Sequence, residues 1–201
     1  RSYSVTGVQT CALPIFGSEF SKKAVEICEK KGIKMYPGPI SKYAFPHEQF
    51  DIIISIEVLE HIYNPIEELQ NIFSLLRNGG LFYCTTPNFN SLLRYYLKEN
   101  YDIITYPEHL CYYTYKTLNK LLLQTGLRKN NFLSTGISYS RLKKSQGKQI
   151  NPIDQNSDDE KLRQNIDRKW YLSVLKTLIN FILTLSKTGM TLKAYYIKPM
   201  D

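Results

Sequence analysis

The stretch FDIIISIEVLEH, from Phe50 to His61, decides the fold. Ile52, Ile53, Ile54 and Ile56 form a near-continuous apolar run inside it. A strand with one wet face would alternate apolar and polar residues. An unbroken run predicts a central parallel strand over Phe50 to Ile56, covered on both faces. Asn64-Pro65 then opens a helix, with proline at the favoured first position. Ile66, Leu69, Phe73 and Leu76 are expected to form its buried stripe. Gly79-Gly80 are expected to stop that helix, and Leu81 to Thr86 to form the next strand.

Working outward, Phe16 to Glu19 reads as the end of a strand. Ser21 can cap a helix over Lys22 to Lys31, with Ala24, Val25, Ile27 and Cys28 on its inner side. Gly32 closes that helix. Ile33 to Tyr36 is a short strand, broken by Pro37, Gly38 and Pro39. Downstream, Pro87 to Tyr113 is irregular and aromatic, with a helix at Ser91 to Lys98. Tyr115 to Thr125 is an amphipathic helix closed by Gly126, and Leu127 to Thr135 is a strand. Residues 141–169 are polar and read as a loop. Trp170 to Ser186 is a helix, and Leu192 to Ile197 a last strand. Alternating strands and helices predict an α/β fold with a mainly parallel sheet. Ligands in such folds sit at the carboxyl ends of the strands, so the residues just after each strand matter most.

Composition narrows the class. The chain has 201 residues, of which 43% are hydrophobic and 22% charged. That suits a globular domain and excludes a disordered or fibrous chain. The formal charge of +8 favours anionic partners without choosing among nucleic acid, phosphorylated substrates and lipid. Cys11, Cys28, Cys84 and Cys111 show no CxxC pair and no zinc spacing, so reduced cysteines and a cytoplasmic compartment are expected, and no metal centre. The N-terminus lacks the features of a signal peptide.

Residues 1–15 fit no periodicity. Val5 to Ile15, VTGVQTCALPI, resembles the in-frame translation of a widely used sequencing-library adapter. The expected organisation is therefore a non-native segment over 1–15 and a partial domain over 16–201. Within it, 137–190 is a variable polar loop plus a hydrophobic helix.

The ordered succession of motifs resembles class I S-adenosylmethionine (SAM)-dependent methyltransferases. FDIIISIEVLEH is similar to that family's fourth strand and the acidic segment ending in EH beyond it. NGG and LFYCTTPN resemble the turn into strand five, that strand and its exit. TYPEHLCYYTYKTLNKLLLQTGL, GSEFSKKAVEICEKKGI and GMTLKAYYIKP resemble further segments of one bacterial branch. That branch includes ubiquinone-type O-methyltransferases. The resemblance implies a Rossmann-like, mainly parallel sheet with an antiparallel C-terminal strand. It also implies SAM as methyl donor.

Site residues follow from the same resemblance. Glu19 would bind the SAM ribose, although a Glu before a helix also serves as a cap. Pro39 and Ile40 sit where the family packs adenine. Ile56 and Glu57 would border the methionine half. His61 matches the histidine of EH, as a catalytic base or as a histidine that orients its neighbours. Glu108 and His109 match the PEH motif, facing the acceptor or fixing a loop. The family's glycine-rich loop, D-x-G-x-G-x-G, has no counterpart here, nor does the first strand. The chain as printed is therefore expected to bind SAM poorly and to be inactive.

The acceptor is expected to be a small or lipid- or sugar-linked hydroxyl compound, since TTPN differs from the NPPY type of many nucleic-acid N-methylating enzymes. Tyr95, Tyr96, Tyr101, Tyr106, Tyr112 and Tyr113 are candidates to line an apolar pocket or to serve as packing. Arg128, Lys129, Arg141, Lys143, Lys144 and Lys148 form a solvated basic face or attract phosphate or an anionic membrane. The Trp170 to Ser186 segment, with one charged residue, packs on the domain or contacts a membrane peripherally. RNA methylation and a non-catalytic binding domain are the competing readings.

Overall fold

In the computed structural model of the chain, residues 15–41, 43, 45, 50–101, 103–137 and 169–200 are described. The chain divides into two compact units at residues 48 and 49.

The first unit holds β1 (Phe16–Glu19), α1 (Lys22–Glu29) and β2 (Lys34–Pro37). The two strands pair in parallel, with Phe16 opposite Lys34 and Glu19 opposite Pro37. Ser21 caps α1 by accepting from the Ala24 N–H at 3.4 Å. Val25 is the buried contact of α1, while Ile27, expected to face inward, is exposed. Eight residues is a short helix, and a single buried valine anchors it here.

The second unit holds β3 (Phe50–Ile56), a 3-10 turn (Leu59–His61), α2 (Pro65–Leu75), β4 (Leu76–Pro87) and α3 (Leu92–Leu97). They are followed by α4 (Tyr115–Gln124), β5 (Arg128–Thr135), α5 (Trp170–Ser186) and β6 (Thr191–Ile197). Its four-stranded sheet runs β3-β4-β6-β5. β3 and β4 are parallel, and β6 is antiparallel to both β4 and β5. Three strands thus point one way and the C-terminal strand the other, as expected from the sequence.

One face of this sheet is sealed. Phe82, Cys84 and Thr86 of β4 lie beside Leu192, Ala194 and Tyr196 of β6, and all six are buried. Leu69, Ile72 and Leu75 of α2, and Leu118 and Leu122 of α4, add to this core. The Tyr196 hydroxyl donates to Asn119 of α4 at 2.6 Å, so even the polar end of this buried ring is paired. The other face stays open. Ile52, Ile54 and Ile56 are 55%, 61% and 58% exposed, and β3 pairs with β4 alone among the described residues. The run suits a central strand covered on both faces, but with the family's first strand missing it is left at the edge of this sheet, and Ile53 is its one buried isoleucine.

Two details of α2 also differ from expectation. Its buried stripe is Leu69, Ile72 and Leu75, whereas Ile66 is exposed. The helix ends at Leu75, before the glycines. Gly79 and Gly80 instead shape the irregular start of β4, where the register jumps between Phe50 and Ile52. Gly79 adopts φ 77°, and a Cβ on Gly80 would lie 2.8 Å from the Arg77 carbonyl and 3.0 Å from that of Phe50. Close backbone approach, rather than helix termination, is what requires glycine there. Cys28, Cys84 and Cys111 are free thiols. Among the described residues, no helix is long and apolar enough to cross a membrane.

Candidate active site

Beyond the carboxyl ends of β3 and β4 lies a cleft of about 370 Å³. Glu57, Glu60, His61, Thr105, Glu108 and His109 are among its lining residues. Local sequence explains the first three. β3 stops as Glu57 turns to φ 52°, a left-handed conformation unusual for a non-glycine residue. Two hydrogen bonds hold that turn: the Glu57 N–H donates to the Thr85 carbonyl at 3.0 Å, and the Thr85 hydroxyl donates to Glu57 Oε1 at 2.9 Å. The 3-10 turn that follows brings Glu60 inward and His61 to the cleft.

Glu60 is 2% exposed, which is costly for a carboxylate unless it is hydrogen-bonded. The Thr86 hydroxyl donates to its Oε2 at 2.9 Å. Its backbone carbonyl accepts from Leu110 and Cys111 at 2.8 and 3.0 Å, which ties the turn to the PEH segment. The neighbouring threonines of TTPN thus serve as orienting donors, Thr85 to Glu57 and Thr86 to Glu60. In the sequence they stand only as the end of a strand and its exit.

The two histidines are set alike. Nδ1 of His61 is 2.6 Å from the Glu108 carbonyl, and Nδ1 of His109 is 2.7 Å from the Ile103 carbonyl. A carbonyl can only accept, so each Nδ1 carries the proton in these bonds. In the neutral ring, Nε2 then keeps its lone pair. The rings meet edge to face with centroids 4.8 Å apart. His61 Nε2 lies 3.9 Å from Glu60 Oε1. The carboxyl of Glu57 is raised above its usual range, first by burial of its charge among these groups and then by the charge of Glu60, although Thr85 and His109 act in the opposite sense.

One ligand atom each from Glu60, His61 and His109 lies within 4.8 Å of the others, a spacing that could hold a cation. Linear spacing had suggested no such cluster, because His61 and His109 belong to separate loops. The Thr105 hydroxyl, also on the cleft wall, is buried and has no protein hydrogen-bond partner among the described residues. No motif flagged it.

Other expected residues lie elsewhere. The Glu108 side chain is exposed, and this residue serves His61 through its carbonyl. In the first unit, Glu19 Oε1 accepts from the Ser21 N–H at 2.8 Å, the capping role weighed above. Pro39 is exposed and Ile40 half-buried. None of the six tyrosines lines the cleft. Tyr101 and Tyr113 are core residues, their hydroxyls bonded to Ser91 and to the Leu59 carbonyl, while Tyr95, Tyr96 and Tyr106 are exposed. Arg128 and Lys129 are exposed at the start of β5. Arg141, Lys143, Lys144 and Lys148 lie outside the described residues.

Comparison with known proteins identifies the family and the fold. The family described as methyltransferase domain matches residues 8–130, more than half of the chain. A ubiquinone biosynthesis O-methyltransferase of Ruegeria pomeroyi is 44% identical over 43 residues, 21% of this chain and 17% of that protein. One of Roseobacter denitrificans is 46% identical over the same length and shares. These matches therefore span about a sixth of the curated relatives. A SAM-dependent methyltransferase of Archaeoglobus fulgidus superposes with TM-score 0.56 at 18% identity, covering 91% of this chain and 75% of that one. A putative methyltransferase of Bacillus halodurans gives TM-score 0.52 at 13% identity, with 92% and 83% covered. At such identities the likeness concerns the fold, which is that of class I SAM-dependent methyltransferases.

Proposed function

The chain belongs to the methyltransferase-domain family, and from that premise we propose that its protein methylates a hydroxyl of a small-molecule or lipid- or sugar-linked acceptor. The observation that carries this reading is the convergence of Glu60, His61 and His109 in one cleft at the carboxyl ends of the strands. SAM, the family's methyl donor, supplies an electrophilic methyl group on a sulfonium. The chain's own residues receive the acceptor and take its proton. His61 or His109, with Nδ1–H donated to a carbonyl, offers Nε2 as the base. Thr105 offers a buried hydroxyl to orient the acceptor. Ubiquinone biosynthesis O-methyltransferases among the relatives support oxygen over nitrogen as the methylated atom.

On the donor side, Glu19 is proposed for the ribose hydroxyls, Pro39 and Ile40 for adenine, and Ile56 and Glu57 for the methionine half. The fit is partial. Glu19 keeps one carboxylate oxygen beyond its bond to Ser21, and Ile56 presents apolar surface at the strand end. The printed sequence offers no glycine-rich loop, so weak donor binding is expected of the chain as it stands.

Two measurements test the reading. Calorimetric titration of this chain with SAM is expected to give a dissociation constant of roughly 1 mM or weaker. Micromolar binding would overturn the weak-binding claim. Recovery of the DNA upstream of the Phe16 codon is expected to show an in-frame glycine-rich loop. A genuine start codon there would favour the non-catalytic domain instead. The protein carrying that loop, given methyl-labelled SAM and a panel of hydroxyl and amine acceptors, is expected to form methyl ethers. Label in RNA, with binding that falls steeply with salt, would support RNA methylation.

A further inference from the structure

α5 is built inside out. Asn180 and Thr184 face the protein beside Leu183, the buried residue of the helix, and an apolar stripe faces away. The Asn180 side-chain oxygen accepts from the Gly136 N–H at 3.0 Å. Thr184 accepts from the Ser134 N–H at 3.2 Å and donates to the Ser134 carbonyl at 3.0 Å. The two Thr184 bonds satisfy Ser134 near the end of β5, on the free edge of the sheet's last strand, and the Asn180 bond satisfies Gly136 just beyond it. The opposite stripe carries Trp170, Val174, Leu178, Phe181, Ile182 and Leu185, between 54% and 78% exposed. At 100° per residue these six fall within an arc of about 120°. A monomer dissolved in water has no reason to display such a stripe.

Charge identifies what covers it. From His109 to Met200 the sequence carries 16 lysines and arginines against five acidic residues, all of them between Asp154 and Asp167. Lys169 stands before the helix and Lys187 ends it. A second copy docked on this stripe would bring two basic surfaces together, whereas an anionic bilayer would attract them. The helix of 17 residues is about 25 Å long, short of the roughly 30 Å of a bilayer core. It therefore suits lying in the plane of the surface with the apolar stripe down and tryptophan at one end. We propose that the outward face of α5 is a docking surface for anionic lipid bilayers. This rests on α5 and its charge alone, independent of the methyl-transfer reading.

Trp170, the one tryptophan of the chain, reports directly on this face. Vesicles of phosphatidylcholine with about 30% phosphatidylserine are added to the full chain. Tryptophan emission should shift to the blue, and the protein should float with the vesicles. Pure phosphatidylcholine should bind it roughly tenfold more weakly, and added salt should release it. A Leu178→Glu/Ile182→Glu variant changes only exposed positions, and its fold is checked by circular dichroism. It should lose roughly tenfold in binding. Ile54→Glu, on the open face of β3, should bind as the unaltered chain does. No flotation with anionic vesicles overturns the proposal, as does equal binding by the double variant. A lipid-free dimer that the double variant abolishes, without flotation of the unaltered chain, would assign the stripe to a second copy. Tryptophan emission already blue-shifted without lipid, again without flotation, would assign it to another segment of this chain.

Discussion

β3 and β6 are both seven residues long, and their sequences suggest the reverse of their positions. β3, FDIIISI, is the more apolar, yet it stands at the edge with three isoleucines exposed. β6, TLKAYYI, carries a lysine and two tyrosines, yet it lies between β4 and β5 with every second residue fully buried. Hydrophobicity records which surfaces a strand is suited to meet. Pairing decides which it meets in a given chain. A strand of modest hydrophobicity can be central when its alternation matches the one sealed face of the sheet.

The largest effect should come from the sealed side. Leu192→Ala in β6 is expected to cost about 3 kcal/mol in urea unfolding, and Ile54→Ala in β3 less than about 1 kcal/mol. Equal losses would break the comparison, because they would mean that the open face of β3 is covered in solution. Next comes Gly189→Ala, just before β6. An added Cβ there would meet the backbone of Ser134 and Thr135, and the Gly189 carbonyl already accepts from Asn88 at 2.7 Å. A cost of about 2 kcal/mol is expected in the same assay. Full tolerance would show that this entry into β6 has slack.

A smaller effect tests charge on the two sides. Glu68 of α2 has its carboxyl pKa raised from 4.5 to about 7, by burial first and by Glu67 second. The fold therefore favours the neutral acid. Its stabilising effect is full below the unfolded value and is lost as pH rises through about 7. Glu68→Gln should raise the melting temperature near pH 8, by the equivalent of about 1 kcal/mol after allowance for solvent screening, and leave it unchanged near pH 4. A gain that does not depend on pH would refute the buried-charge account. The smallest effect is expected where β3 is open: Ile54→Glu should shift stability by under about 0.5 kcal/mol, measured by thermal melting.

Much of this was legible beforehand because it depends on neighbours in sequence. Ser21 and Asn64, read as helix starts, each cap a helix through a bond to a residue three positions on, and Ser91 and Thr114 prove to do the same. The bounds of β3 and of α5 follow from runs of apolar residues within single segments. The order of motifs was enough to indicate the family. The errors lie where a distant partner takes over. Leu76 looked like the last turn of α2 but is the first residue of β4, paired with Phe50. For the tyrosines the sequence left pocket lining and packing both open, and Tyr101 and Tyr113 turn into the core.

By itself, then, the sequence determined the elements, their caps, their order and the family they belong to, since those are set by interactions within a turn or a strand. Only the tertiary structure decided that β6, and not β3, has both neighbours, and that α5 shows its apolar side. It also decided that Glu60, His61 and His109 share one cleft. His61 meets the Glu108 carbonyl across 47 positions, and Asn180 meets Gly136 across 44. Such contacts depend on strand pairing and chain reversal, and the two ends of each bond carry no local signal of each other.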